Sequence, residues 1–239
     1  MDLPATNRSH RASLVSAATS TPPSDTPYSD TVATGPDRSA LDAILLPHIE
    51  LAIWSRQTPT DVQAALLQWA KTASGPVQWR WPAPNAAWME LLAALPPAVA
   101  TWLEADVHRL VHDMSRWSQR RQLTVVLGPI AHDHCTRFHV DWLPLRLLCT
   151  YVGPGTQWIA NADVCREALP LPIGPQGHQA GLLQSDGAIQ VASAGEVLVA
   201  KGHGHPHQVS GLVHRSPRVA DPSTPRVVLI ISAMPHEVL

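Results

Sequence analysis

The stretch Leu145-Arg-Leu-Leu-Cys-Thr-Tyr151 decides the fold class that we predict for this chain of 239 residues. Its odd-numbered positions hold Leu, Leu, Cys and Tyr, and a two-residue alternation is typical of a β-strand. Similar runs occupy residues 123–127, 196–200 and 226–232, with a less clear one at 188–192. Gly and Pro punctuate the chain between these runs, and many short strands with such turns predict a sandwich or a barrel.

The motif Cys135-Thr-Arg-Phe-His139-Val-Asp141 lies just before this stretch. Residues i and i+2 of a strand project to the same face, so His139 and Asp141 are predicted to hold one ion together. His214, which follows the run at 196–200, is the candidate for a third ligand. Two histidines and one carboxylate form the facial triad of non-haem Fe(II) oxygenases. The alternative is structural, with a hydrogen-bonded pair of His139 and Asp141 and a packed His214.

An oxygenase that uses a 2-oxo acid also needs a cation for the distal carboxylate of that acid. Arg226 opens the last strand-like run, and a guanidinium binds a carboxylate through two parallel hydrogen bonds. We therefore predict Arg226 in the same site. The alternative is an ion pair of Arg226 with Asp221 or Glu196.

The chain before residue 122 has a different pattern. Residues 1–40 contain 18 Ser, Thr or Pro, and so polar a segment buries too little apolar surface to offset its ordering entropy. We predict a disordered tail over 1–40 and helices over 61–71, 85–95 and 98–120, the first two capped by Thr60-Asp61 and Asn85. The chain is thereby divided into a tail, a helical region at 41–121 and a β-rich core at 122–239.

Composition excludes several classes of function. The net charge is −2 and the pI is near 6.7, whereas a nucleic-acid-binding protein presents a strongly basic face. No segment approaches the roughly 20 apolar residues of a membrane span. Three cysteines without dense spacing indicate a reducing compartment, so we expect a cytoplasmic protein. A small-molecule substrate fits this charge, and we expect neither nucleic acid nor a membrane as partner.

The 13 histidines are concentrated, with eight of them between His132 and His214. His203-Gly-His-Pro-His207 and His132-Asp-His134 are compact clusters that can bind a borderline metal as an accessory rim. Exposed, flexible loops are the alternative for both. His108 and His112 lie at i and i+4 of a predicted helix and can share a face, either as a metal pair or as ordinary surface residues.

Several segments together resemble the bacterial DUF1826 family, whose function is unknown. They are Phe138-His-Val-Asp141, Arg146-Leu-Leu-Cys-Thr-Tyr-Val-Gly-Pro-Gly-Thr-Gln-Trp158, Gly195-Glu-Val-Leu-Val-Ala-Lys-Gly202, Val213-His-Arg-Ser-Pro217 and Arg226-Val-Val-Leu-Ile-Ile-Ser. The resemblance covers roughly residues 50–234. It implies an α+β protein whose N-terminal helices pack on a double-stranded β-helix, a cupin-like or jelly-roll-like barrel related to 2-oxoglutarate/Fe(II) oxygenases. Members are often encoded near zinc-responsive metallochaperone GTPases, which implies a link with metal supply.

The resemblance also implies roles for individual residues. His139, Asp141 and His214 take the metal-ligand positions. Arg226 takes the position that binds the 2-oxo-acid carboxylate, as a catalytic and cofactor-binding residue. Arg146, which opens one of the matching segments, is assigned as a second cofactor-binding residue.

Cys135 is the residue that bears on the choice of metal. It lies four residues before His139, so strand alternation places the two side chains on one face. A thiolate ligand would favour Zn(II) over Fe(II). The alternative is that Cys135 packs as a small apolar residue.

The leading hypothesis is a mononuclear Fe(II)/2-oxoglutarate-dependent oxygenase that acts on an unknown small-molecule or protein substrate. Trp142 and the segment 153–158 are expected to wall its cavity. The runner-up is a non-enzymatic zinc-binding or zinc-homeostasis protein of the cupin type, because a closed four-ligand site is structural whereas an open position is catalytic. A barrel that binds a small acid without chemistry is a third reading.

Overall fold

The computed structural model describes residues 30–130, 135–207, 210–218 and 225–233. Within these ranges the protein is α+β, with ten strands in two sheets and α-helices in its first half. The strands are β1 (Val32–Gly35), β2 (Leu51–Trp54), β3 (Val77–Trp81), β4 (Leu123–Ile130), β5 (Leu145–Val152), β6 (Gln157–Ile159), β7 (Ile189–Val191), β8 (Val197–Lys201), β9 (Val213–Arg215) and β10 (Arg226–Ala233). The α-helices are α1 (Thr60–Ala70), α2 (Ala86–Ala93) and α3 (Pro97–Ser118), and a 3-10 helix spans Arg38–Leu45.

The strands form a large sheet in the order β1-β2-β8-β5-β10-β4-β3 and a small sheet in the order β7-β6-β9. Neighbouring strands are antiparallel except β1 and β2, which are parallel. The run predicted as a strand over 145–151 forms β5, which pairs with β8 on one side and β10 on the other. The other runs form β4, β7, β8 and β10, so these predicted strands are confirmed.

The alternation of β5 sorts its side chains onto two different cores. Its odd-numbered residues join a core that also contains buried residues of α1, α2 and α3. Leu148, on the opposite face, packs in a second core with Trp158 of β6 and Leu198 of β8. The large sheet therefore lies between the helices on one face and the small sheet on the other.

The helices follow their sequence patterns closely. The predicted apolar stripe of α3 is buried at Leu103, Val107, Leu110, Val111, Met114 and Trp117. Asn85 caps α2 as predicted, because its Oδ1 accepts a hydrogen bond of 3.1 Å from the backbone N–H of Trp88. The predicted cap of α1 is wrong, since Thr60 is already helical and Pro59 occupies the cap position without a side-chain hydrogen bond. No helix within the described ranges is long and apolar enough to cross a membrane.

A buried ion pair joins α3 to the large sheet. Asp106 of α3 accepts two hydrogen bonds from Arg56, at 2.6 and 2.7 Å. It accepts a third, of 2.8 Å, from the hydroxyl of Tyr151 on β5. Cys149 lies beside this cluster, and burial raises the pKa of its thiol to about 12. Cys149 is therefore a core residue, as its apolar neighbours on β5 predict.

Two of the predicted segments differ from the structure, one in its extent and one in its secondary structure. Residues 30–40 were assigned to the disordered tail, but Val32–Gly35 forms β1 beside β2 and the 3-10 helix buries Leu41. The average composition of residues 1–40 hides these few apolar positions, and residues 1–29 lie outside the described ranges. The region 41–121 is not only helical, because β2 and β3 belong to the same large sheet as β5.

Candidate metal centre

His139 and His214 face each other across two paired backbones. Each residue donates its backbone N–H to the carbonyl of the other, at 3.1 and 3.0 Å, which forms an isolated antiparallel bridge. Directly opposed residues of such a pair project to the same face. The two imidazole rings accordingly lie with their centroids 4.7 Å apart.

Asp141 completes the group. Its Oδ1 lies 3.7 Å from Nε2 of His139, and its Oδ2 lies 3.5 Å from Nε2 of His214. Within the described ranges, these residues are the group of His, Cys and acidic side chains whose potential ligand atoms all approach one another within 4.8 Å. The sequence predicted this trio, and the structure brings it together.

The hydrogen bonds of both imidazoles prepare Nε2 as the ligand atom. Nδ1 of His139 lies 2.9 Å from the carbonyl oxygen of Arg137, and Nδ1 of His214 lies 3.1 Å from that of Leu212. A carbonyl only accepts, so Nδ1 carries the proton and donates, which leaves the lone pair on Nε2. Burial lowers the pKa of His214 to about 4, so this imidazole is neutral at pH 7.

The residues present fit a divalent metal. The Asp141 Oδ2 atom is buried and has no hydrogen-bond partner among the described residues, a cost that a cation would remove. Two imidazoles and one carboxylate suit Fe(II) and similar ions. Nη1 of Arg146 lies 3.0 Å from Oδ1 of Asp141 in an ion pair, so Oδ2 is the oxygen that remains for a metal. One oxygen from Asp141 and one nitrogen from each histidine leave further coordination positions open.

Arg226 is the second predicted site residue, and its surroundings are unusual. It is 1% exposed. Its Nε donates to the carbonyl of Pro154 at 2.6 Å, and one Nη donates to the Thr150 hydroxyl at 3.3 Å. The other Nη is buried with no partner in the described part of the chain. Burial lowers the pKa of Arg226 to about 10.

Glu196 and Asp221 are the two carboxylates that the sequence offers as ion-pair partners of Arg226. Glu196 is engaged elsewhere, with the hydroxyl of Ser55 and the backbone N–H of Ser193. Asp221 lies outside the described residues. Arg226 is thus a buried cation held by neutral acceptors.

Glycine shapes the position of Arg226 in a way that the sequence analysis missed. Gly153 has a φ of +87°, and a Cβ added there would lie 3.1 Å from Cγ of Arg226. The sequence predicts a turn at Gly153-Pro154-Gly155 and a cavity wall over 153–158, but it does not link this run to Arg226. Its place directly after β5 is the signal that could have made this link, because the carbonyl of Pro154 accepts a hydrogen bond from Nε of Arg226.

A cavity of about 80 Å³ joins these residues between the two sheets. Its lining includes His139, Arg146, Leu148, His214, Arg226 and Val228. Binding pockets for drug-sized ligands usually enclose roughly 300–1,000 Å³. This cavity therefore suits an ion and a small acid.

The family profile of proteins of unknown function called DUF1826 matches residues 35–231. The chain belongs to the DUF1826 family. The match extends from β1 to β10 and includes every residue of the metal trio. Comparison with curated proteins gives no match.

Solved structures with low similarity to the DUF1826 protein include three oxygenases. A candidate oxygenase from Shewanella oneidensis is 12% identical, with 86% of this chain and 89% of that chain covered at a TM-score of 0.43. The dioxygenase for auxin oxidation 1 from Arabidopsis thaliana, bound to 2-oxoglutarate, is 8% identical, with 85% and 91% covered at 0.43. A Pseudomonas putida prolyl-4-hydroxylase is 12% identical, with 81% and 96% covered at 0.39.

Cys135 does not join the metal trio. Its backbone φ is +54°, so the strand alternation that would align it with His139 is interrupted at this residue. The side chain is exposed and reaches only the lining of the cavity. The prediction of Cys135 as a metal ligand is therefore not supported, because alternation holds only for an extended backbone.

The histidine cluster at 203–207 of the DUF1826 protein is split between two places. The ring of His203 lies 5.3 Å from that of Trp142, which is 81% exposed and does not wall the cavity as predicted. The ring centroids of His205 and His207 lie 5.1 Å apart, and both residues line a separate groove of about 590 Å³. The cluster therefore has no convergent trio of ligands within the described residues.

Three further predictions concern the segment 153–158, the pair His108 and His112, and the cluster His132-Asp-His134. Thr156, from the segment 153–158, lines the cavity as expected. His108 lies against Trp81, with ring centroids 5.0 Å apart, and His112 is exposed. The cluster His132-Asp-His134 lies outside the described residues.

Proposed function

We propose that this DUF1826 protein is a mononuclear metal-dependent oxygenase that uses Fe(II) and 2-oxoglutarate. The observation that carries the proposal is one cavity that is lined by the two histidines of the metal trio and by a buried arginine with only neutral acceptors among the described residues. A diacid that binds the metal at one end and Arg226 at the other fits both features.

The arrangement of the two sheets supports this proposal. The site lies between a large and a small antiparallel sheet, with His214 and Trp158 on the small sheet and Arg146 and Arg226 on the large one. We propose that this pair of sheets is the double-stranded β-helix that the sequence predicts, with the helices packed on its outer face.

Each residue has a distinct task in the proposed reaction. His139 and His214 would hold the metal through Nε2 and Asp141 through Oδ2, while Arg226 would bind the distal carboxylate of the 2-oxo acid. When bound, Fe(II) would supply O₂ activation, and the net reaction converts R–H, O₂ and 2-oxoglutarate into R–OH, succinate and CO₂. Leu148 and Val228 line the cavity with apolar side chains, which would limit the access of water to the space between the metal and Arg226.

The zinc-storage alternative predicted a closed site with four ligands. Without Cys135, the trio supplies three ligands and keeps open positions, which is the arrangement of a catalytic centre. We also propose a cytoplasmic location, from the spacing of the cysteines, and a link to metallochaperones, from the family resemblance.

The Arg226→Gln variant tests the proposal directly. We expect it to weaken 2-oxoglutarate binding by about 10- to 100-fold, because hydrogen bonds between a guanidinium and a carboxylate contribute roughly 1.5–3 kcal/mol. The affinity is measured anaerobically on the Fe(II)-loaded protein from the visible charge-transfer absorption of the chelated 2-oxo acid. Succinate formation on admission of O₂ gives the second readout.

The exposed Arg80 on β3 provides a matched control. Arg80→Gln removes the same charge from the chain and should leave 2-oxoglutarate affinity unchanged. Wild-type protein that binds Fe(II) but not 2-oxoglutarate would overturn the proposed function. Equal affinity in the wild type and Arg226→Gln would overturn the role of Arg226.

A further inference from the structure

Arg146 and Arg226 enter the cavity from opposite ends of one sheet face. Arg146 on β5 is paired with Ser232 on β10, and Arg226 lies six residues before Ser232 on the same strand. At about 3.3 Å per residue, the backbones that carry these guanidinium groups are about 20 Å apart. Arg146 is the one that touches the metal trio, through Asp141.

The ion pair of Arg146 leaves part of its guanidinium without a partner among the described residues. Its Nη1 lies 3.0 Å from Oδ1 of Asp141. Its Nε is buried and has no partner among the residues described. The edge formed by Nε and Nη2 is therefore turned away from Asp141, and such an edge matches the two oxygens of a carboxylate. The side chain is 26% exposed, so a ligand can approach it.

The charges around the cavity favour a second anion. No described lining residue carries a carboxylate, whereas Arg146, Arg215 and Arg226 all line it. Arg215 is held by Gln157 and backbone carbonyls. Arg146 is paired with Asp141, but a divalent metal, the Asp141 carboxylate, a dianionic 2-oxo acid and the three arginines together would leave the site with a net positive charge. A further anion beside Arg146 would reduce this repulsion.

We infer that Arg146 is the docking residue for an anionic group of the molecule that is oxidised. This inference rests on the proposed function, and it identifies the substrate class as small carboxylic acids. The acid binds through the Nε–Nη2 edge of Arg146, a residue that is itself in contact with Asp141 of the metal trio. The 2-oxo acid occupies the other end of the cavity, on Arg226.

Arg146→Lys separates this role from the contact with Asp141. A lysine retains a donor and the positive charge for Asp141, but it lacks the planar Nε–Nη2 edge that binds the two oxygens of a carboxylate. Co(II)-loaded protein with saturating 2-oxoglutarate is titrated at constant ionic strength with acetate, methanesulfonate, inorganic phosphate or acetamide. The visible absorption of Co(II) reports binding beside the metal without turnover.

We expect acetate to change the wild-type Co(II) spectrum with saturation and acetamide, its neutral match, to leave it unchanged. In Arg146→Lys the acetate affinity should fall about tenfold or more, as for the loss of a charge-assisted pair of hydrogen bonds. The affinity for 2-oxoglutarate should stay within about threefold of wild type and the Co(II) stoichiometry should not change, because Arg226 is untouched and the variant keeps a positive charge beside Asp141. Arg80→Lys is the matched control and should behave as wild type.

Three outcomes would overturn the inference: acetamide that binds as well as acetate, acetate affinity that is unchanged in Arg146→Lys, or no binding by any of the anions. Stronger binding of methanesulfonate or phosphate than of acetate would replace the carboxylate by that oxyanion and contradict the assigned class. Failure of wild-type protein to bind 2-oxoglutarate would instead overturn the proposed function. The titration of the Co(II) protein alone then decides whether Arg146 binds an anion.

Discussion

His214→Gln is expected to weaken the binding of one divalent metal by more than about 1,000-fold, beyond the roughly 10–100-fold that the loss of an outer hydrogen-bond partner costs. His214 is 5% exposed, and its Nδ1 is fixed by the carbonyl of Leu212. Nε2 is thus aimed at Asp141 before a metal arrives. Glutamine fills a similar volume but offers only a weak amide ligand in place of imidazole.

The measurement is anaerobic competition of Fe(II), and separately Zn(II), against a chromophoric chelator. Thermal unfolding with and without metal gives a second readout, since a ligand at 100 times its Kd stabilises by about 2.7 kcal/mol. His112→Gln on the exposed face of α3 is the matched control. Metal affinity that is unchanged in His214→Gln would exclude the trio as the binding site.

Asp106→Ala is expected to lower the free energy of unfolding by about 3–5 kcal/mol, the range for breaking a buried ion pair. Asp106 is 1% exposed and accepts hydrogen bonds from Arg56 and Tyr151. Its removal leaves a guanidinium and a hydroxyl buried without their acceptor. The loss is measured by urea unfolding followed by circular dichroism.

Two further variants sharpen this stability test. The double variant Arg56→Met and Asp106→Leu removes both charges and should be less destabilised than Asp106→Ala, because no charge is left unpaired. Asp37 is exposed and makes no side-chain capping bond, so Asp37→Ala should change stability by less than about 0.5 kcal/mol. A double variant as unstable as Asp106→Ala would show that lost packing, rather than the unpaired charge, dominates.

The elements that could be predicted from sequence are those with a long local pattern. β5 shows alternation over residues 145–151, and α3 shows an apolar stripe from Leu103 to Trp117, which is about four turns. β6 and β9 have three residues each, too few for a period to be visible. β1 is short as well and joins the sheet only through its pairing with β2, which is a tertiary contact.

The candidate site follows the same rule, because its local pair could be predicted and its contacts between distant segments could not. His139 and Asp141 could be predicted together because an i, i+2 relation survives in any extended backbone. His214 could be proposed only as a distant candidate, and the backbone bridge to His139 explains why the two side chains lie together. Cys135 lies outside the trio because its left-handed backbone interrupts the strand alternation. The contact of Arg146 with Asp141 joins two segments through side chains and leaves no periodic trace.

The backbone bridge between His139 and His214 has a consequence for how the proposed metal would be acquired. Many small metal-binding domains remain unfolded until the ion gathers their ligands. Here main-chain hydrogen bonds hold the two imidazoles together, so folding alone overcomes the entropic cost of bringing them to one place. If the trio binds an ion as proposed, the chain would fold first and load the ion afterwards, and a chelator would remove the ion without unfolding the protein.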